Sequence, residues 1–218
     1  MTLSFLRPAI LIALAAGLAG CGGTATFQIT GLIADLHYDG LVLTETVSGQ
    51  TIKVEKGATT FAFPNTIDYG AQYEVIVATT PSGQPAHQKC TPNGLAKGTA
   101  GQRAAISMGI ICGDLPHAVS GSITLSGTGG SYLGLKLING SNDANPFTVT
   151  DVAATTSYSY PGITFDTPYG ITIFEQPNDG VTKCKLVPKG TTPAVPLLKA
   201  AGTMGDVDVV IDVVCAKP

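Results

Sequence analysis

The stretch Val207-Asp208-Val209-Val210-Ile211-Asp212-Val213-Val214-Cys215 decides the fold. Val207, Val209, Ile211, Val213 and Cys215 fall on one face of an extended chain, while Asp206, Asp208 and Asp212 fall on the other. A period of two belongs to a strand with one face buried, and an α-helix brings no such set together. Ile106-Ser107-Met108-Gly109-Ile110-Ile111-Cys112 alternates in the same way, with Ile106, Met108, Ile110 and Cys112 on the apolar face. Both strands therefore end on a cysteine that faces the core.

Outward from these two strands the chain reads as two copies of one unit, and a repeat sets the architecture before local structure does. The first copy holds Gly40-Leu41-Val42-Leu43, Phe61-Ala62-Phe63, Tyr73-Glu74-Val75-Ile76-Val77, Pro81-Ser82-Gly83-Gln84 and Cys90, and ends at Cys112. The second holds Gly134-Leu135-Lys136-Leu137, Tyr158-Ser159-Tyr160, Tyr169-Gly170-Ile171-Thr172-Ile173, Gln176-Pro177 and Cys184, and ends at Cys215. Tyr73 to Pro81 and Tyr169 to Pro177 each span eight residues. Turn signals at Tyr38-Asp39-Gly40, Pro92-Asn93-Gly94 and Asn178-Asp179-Gly180 separate the strands. The expected fold is all-β: two tandem antiparallel β-sandwiches. Gly113-Asp114-Leu115-Pro116-His117 reads as the connection, with 27–113 as the first unit, 114–117 as linker and 118–218 as the second unit.

The repeat assigns one disulfide to each copy, Cys90–Cys112 and Cys184–Cys215, closing loops of 22 and 31 residues. The competing reading is zinc, but there is no C-x-x-C pair and the three histidines do not stand at ligand spacing beside a cysteine. Bridges of that span contribute about 3–4 kcal/mol each on the chain-entropy account. Cys21 stands apart from both pairs. It ends the run Leu18-Ala19-Gly20-Cys21, after Arg7 and an apolar stretch too short for a bilayer of about 30 Å. That run resembles the lipobox of bacterial lipoproteins. The resemblance implies a signal peptide at 1–20, lipidation of Cys21, a tether over 21–26 and, from Gly22 and Gly23, sorting to the outer membrane. The alternative is an ordinary secretory signal in which Cys21 is incidental.

The order G-L-V-L, F-x-F, Y-x-V-x-V-x-x-x-P-S-G-Q, C, N-G, C is similar to tandem repeats of extracytoplasmic bacterial proteins. It implies immunoglobulin-like or transthyretin-like sandwiches and carries over no catalytic residue. The second copy departs from it, with Gln176-Pro177-Asn178-Asp179-Gly180 in place of P-S-G-Q.

Composition narrows the function. Twelve Lys and Arg against fifteen Asp and Glu give a formal net charge of −3, with no basic cluster to meet a phosphate backbone, so no nucleic-acid partner is expected. G-x-S-x-G, S-x-x-K and H-E-x-x-H are missing, and Gly127-Thr128-Gly129-Gly130 has neither Rossmann nor P-loop spacing, so it reads as a strand connection. His37, His87 and His117 could serve a base or a metal, but each reads more simply as a solvated or edge residue. Asp206, Asp208 and Asp212 could hold calcium; the simpler reading is an exposed acidic strand face that blunts a sheet edge. Tyr132, Tyr158, Tyr160 and Tyr169 could stack a sugar; the simpler reading is core and rim. Asn139-Gly140-Ser141 matches a glycosylation acceptor and is expected to be idle.

One connection draws notice. Residues 188–201 supply the extra length between Cys184 and Cys215, and they contain Val195, Leu197 and Leu198. These three either form a contact loop or fold back to plug an open end of the sandwich, and the plug is the favoured reading. The expectation is a non-enzymatic lipoprotein of the outer membrane with a structural or partner-binding role and no cofactor. Its partners would be the membrane, through the lipid, and an envelope protein or glycan. The alternative is an envelope module that binds a glycan, a metal ion or a peptide.

Overall fold

The computed structural model describes residues 24–78, 83–127, 129–140, 142–150, 157–190 and 197–218. The leader 1–20, Cys21 and Val195 lie outside them. The first half comprises β1 (Thr26–Phe27), β2 (Ile29–Ala34), β3 (Leu41–Glu45), β4 (Thr51–Val54), β5 (Thr60–Ala62), β6 (Ile67–Asp68), β7 (Gln72–Val77), β8 (Gln88–Asn93), β9 (Lys97–Thr99) and β10 (Ile106–Asp114). The second comprises β11 (Pro116–Ser126), β12 (Lys136–Asn139), β13 (Asn142–Thr148), β14 (Ser157–Thr164), β15 (Pro168–Glu175), β16 (Lys183–Pro188), β17 (Lys199–Thr203) and β18 (Val209–Ala216). No helix occurs among the described residues.

The four-stranded sheets of the halves correspond strand for strand, and the first half adds a two-stranded sheet, β1-β6. The first half has β5-β2-β10-β8 and β4-β3-β7-β9; the second has β14-β11-β18-β16 and β13-β12-β15-β17. All neighbours are antiparallel except β2 with β10 and β11 with β18, where an early strand of each half runs beside its closing strand. The two sheets of each half face each other across one buried cluster. In the first, Ile29, Leu41, Leu43, Phe63 and Ile110 are fully enclosed; in the second, Leu135, Leu137, Ile171, Leu186, Met204 and Ile211 are. Burying each such side chain contributes about 1.5–3 kcal/mol.

Both disulfides are cross-strand pairs inside one sheet. Cys90 lies opposite Cys112 on β8 and β10, and Cys184 lies opposite Cys215 on β16 and β18. All four cysteines are at most 3 % exposed. Each bridge therefore staples an edge strand to its inner neighbour and leaves the sheet-to-sheet packing to the apolar residues.

A second repeated device sits inside one sheet of each half. A Cβ on Gly31 of β2 would press into the Phe61 ring, and one on Gly121 of β11 would strike the Ile211 carbonyl and the Tyr158 ring. In register, Gly31 pairs with Phe61 and Gly121 with Tyr158, so in both halves an aromatic ring from the neighbouring strand fills the space of a missing side chain.

Three expectations need correction. Of residues 114–117, all but Leu115 are strand backbone, because β10 runs almost directly into β11. Val207 is 70 % exposed and precedes β18, so the buried stripe starts at Val209 and Ile211. β18 is also an inner strand, flanked by β11 and β16, so Asp212 on it, with Asp206 and Asp208 just before it, guards no edge.

Candidate functional site

With one residue between β10 and β11, whatever stands at the top of the first half is pressed against the base of the second. Three residues of the 37–88 region end there: His37, Tyr38 and His87. Leu115 fixes the crossing by donating its backbone N–H to the His87 carbonyl at 2.8 Å.

Gln88 organises the first-half side and is 1 % exposed. Its Nε2 donates to the Asp35 carbonyl at 2.7 Å and to Asp114 Oδ1 at 2.8 Å, while its Oε1 accepts from the backbone N–H of His37 at 2.8 Å. His37 Nδ1 lies 3.3 Å from the same Asp114 oxygen. A buried amide with every polar atom engaged fixes the loop after β2 rigidly against the end of β10.

His87 makes the contact across the junction. Its ring stacks on Phe165 with centroids 3.5 Å apart and planes 8° from parallel, and Nδ1 meets the Asp206 carboxylate. Tyr38 packs edge-on to both rings, at 4.9 Å from His87 and 6.2 Å from Phe165. Each aromatic pair of this kind contributes about 0.5–1.5 kcal/mol, and the histidine–carboxylate pairs, with one partner in solvent, about 0–1 kcal/mol. His117, on β11, repeats the pairing with Asp208 at 3.6 Å. Asp208 also accepts from the Ala118 N–H at 2.9 Å, and Asp212 accepts from the N–H and hydroxyl of Ser122 at 2.8 and 2.7 Å. The three aspartates are thus hydrogen-bond partners of β11 and the junction rather than a free acidic face.

Backbone strain collects here too. Asp35, His87 and Asp166 have φ of 59°, 60° and 60°, and among the described residues they are the only non-glycine positions in the left-handed region. Asp and His tolerate that region better than most residues, yet it persists only where surrounding contacts hold it.

All three histidines are therefore paired with carboxylates, and the side chains of His87 and His117 are only 17 % and 16 % exposed. Of the expectation of a solvated or edge residue, the solvated part fails for these two, since His87 is held by Phe165, Tyr38 and Asp206 and His117 by Asp208. The described contacts of the rings are carboxylates, Gln88 and the aromatic rings of Tyr38 and Phe165. Among the described residues no three His, Cys, Asp or Glu side chains gather as metal ligands. The arrangement positions one half against the other.

The remaining candidates fall elsewhere. Tyr132 and Tyr158 are 6 % and 3 % exposed, and the Tyr158 hydroxyl donates to the Ile211 carbonyl at 2.6 Å. Burial, with the Tyr160 phenol and the Asp212 carboxylate nearby, pushes the Tyr158 phenol well above its usual range. Tyr160 donates to the Leu137 carbonyl at 2.5 Å, and Tyr169 packs on Gly202. These rings form no exposed platform. Leu197 and Leu198 part company: Leu197 packs against the core and its carbonyl accepts from the Leu186 N–H at 2.8 Å, whereas Leu198 is 52 % exposed. A plug made of both is corrected to Leu197 alone, because the bridge from Leu197 to Leu186 holds that residue against the core while the chain bends outward at Leu198 before β17.

No protein-family model matches the chain, and no curated protein matches it. Solved structures with a similar arrangement include the major pilin T3.2 of Streptococcus pyogenes, 11 % identical, covering 89 % of this chain and 98 % of that one at a TM-score of 0.36. A Mobiluncus mulieris adhesin containing intramolecular disulfide, isopeptide and ester cross-links is 10 % identical, covering 89 % and 98 % at 0.36. The minor pilin GBS52 of Streptococcus agalactiae is 9 % identical, covering 88 % and 96 % at 0.32.

Proposed function

We propose that this chain is a lipid-anchored, non-enzymatic protein of the bacterial cell envelope, exported by its leader, processed before Cys21 and held at the outer membrane as a structural or partner-binding element. The observation that carries the reading is how the cysteines divide. Four of five are spent in two buried bridges, which suits an oxidising compartment, and the fifth closes Leu18-Ala19-Gly20-Cys21. The close strand-to-strand junction favours a short rod of two sandwiches over two freely tumbling units. The sandwiches serve as tandem repeats, each supplying the same strand plan with its own staple.

Mass spectrometry of the membrane-extracted protein should find an acylated N-terminal Cys21. Cys21→Ser should leave the protein soluble or unprocessed. Normal cleavage and membrane retention of that variant would overturn the lipid anchor.

A further inference from the structure

We infer that the end of the first half remote from the junction is a membrane-contacting face, with Tyr69, Val47 and Arg103 meeting the lipid headgroup layer. The inference rests on the lipid anchor proposed above. β2 and β10 run parallel with Ile29 opposite Ile106, and both rise toward the junction, so their starts mark the far end. The chain arrives from Cys21 at this end.

There Tyr69 donates its backbone N–H to the Ala25 carbonyl at 2.8 Å, and Gly70 donates to the Ala100 carbonyl at 2.9 Å. The Tyr69 ring lies over Gly101, where a Cβ would collide with it, and 6.4 Å from the Phe27 ring. Glycine at 101, with φ of +88°, both admits the ring and turns the chain toward Gln102 and Arg103. Despite that support Tyr69 remains 66 % exposed. Val47, in the turn after β3, is 63 % exposed at the same end, because the neighbouring Thr46 donates its N–H to the Glu74 carbonyl near the opening of β7, the strand that follows Tyr69 and Gly70. Arg103, exposed in the loop that Gly101 opens, is the single arginine after Arg7. The acids at this end are Asp68 on β6, the exposed Glu74 on β7 and Glu45, whose buried carboxylate accepts the Val47 N–H at 3.0 Å.

Chain length then decides the occupant. Cys21 to Ala25 spans four residues, at most about 14 Å fully extended. Tyr69 is hydrogen-bonded to the end of that span, and the headgroup layer itself is about 5–8 Å thick. An acylated Cys21 thus keeps this face within reach of the headgroups. Tyrosine favours that layer because its ring is apolar and its hydroxyl wet, and arginine can grip a lipid phosphate through two N–H groups.

The chain contains no tryptophan, so one introduced residue reports alone. Tyr69→Trp and Val181→Trp, the latter in the β15–β16 connection, would be prepared as full-length acylated protein. Both would be reconstituted in phosphatidylethanolamine–phosphatidylglycerol vesicles carrying brominated acyl chains. The expected result is a blue shift and loss of emission for Tyr69→Trp, with Val181→Trp unaffected. Equal emission from both variants on acylated, vesicle-bound protein overturns the contact face. Protection of Tyr69→Trp from aqueous iodide without quenching by brominated lipid also overturns it, since a protein would then cover the face. Absence of acyl on Cys21 overturns the anchor itself, and this face with it.

Discussion

Gln176 holds Cys184 by both of its backbone groups. Its side-chain Oε1 accepts the Cys184 N–H at 2.7 Å and its Nε2 donates to the Cys184 carbonyl at 3.1 Å. Gln84 does the same for Cys90, at 2.8 and 3.1 Å. β8 and β16 are edge strands, and their cysteines face the inner neighbour through the disulfide. The outer side of each cysteine has no strand to pair with. A glutamine amide carries one donor and one acceptor group at peptide-like spacing, so it replaces one residue of the missing strand. It also blunts the edge where the staple sits.

Gln176→Ala should leave the Cys184 N–H and carbonyl without partners in a residue that is 2 % exposed. The expected cost is about 1–3 kcal/mol, read as a lower urea midpoint at unchanged slope. Gln176→Glu keeps the acceptor and loses the donor, so it should fall between wild type and alanine. An unchanged midpoint in Gln176→Ala would show that the amide adds nothing to the edge.

Much of the fold was legible because alternation and cysteine spacing are local signals. Ile106 to Cys112 and Ile211 to Cys215 announce buried strands directly. The Gln84 and Gln176 clamps were half visible: each glutamine precedes its cysteine, by six residues in one copy and eight in the other. Gln84 follows Pro81 whereas Gln176 precedes Pro177, so the spacing that matches the prolines sets the two glutamines out of step. The junction was not legible at all. His87, Phe165 and Asp206 come together only once two sandwiches are joined through Leu115, and no local pattern encodes that meeting.

Leu197 and Leu198 are adjacent and chemically identical, so they test what burial alone does. Leu197→Asp should lower stability by well over about 1 kcal/mol, since it places a charge against the core. Leu198→Asp should stay within about 0.5 kcal/mol of wild type, as surface changes do. Two melting curves decide it, and equal losses would contradict the different burial of the two side chains.

Acid should weaken the first half through Glu45. Burial alone would raise this carboxyl, but the Ser48 hydroxyl and the backbone N–H groups of Ser48, Glu74 and Val47 all donate to it and hold it below the usual range. A depressed carboxyl stabilises the fold fully above its unfolded value of about 4.3 and stops doing so as pH falls through the folded value. Stability should therefore drop below about pH 4, and Glu45→Gln should flatten that acid limb. Tyr158 acts at the other extreme. Its raised phenol favours the folded state below the unfolded value of about 10, and that advantage is lost at higher pH. Tyr158→Phe should flatten the alkaline limb, and an acid limb unchanged in Glu45→Gln would remove the role assigned to the carboxylate.

The junction makes the clearest prediction about shape. The described contacts that cross it are the His87–Phe165 stack, the Tyr38–Phe165 edge contact and the His87–Asp206 pair. Phe165 takes part in two of the three, so Phe165→Ala should release about 1–3 kcal/mol of inter-half attraction. The clusters of both halves are built from other residues, since Phe165 belongs to neither. Melting temperature should hence change little, while small-angle scattering and domain-resolved NMR relaxation should report a wider spread of angles between the halves. Asp206→Asn, which keeps a hydrogen-bonding side chain and loses the charge, should produce a smaller change of the same kind. A Phe165→Ala variant with unaltered scattering and relaxation would mean that the short Leu115 connection alone sets the angle, and the stack would then be a consequence of the geometry instead of its cause.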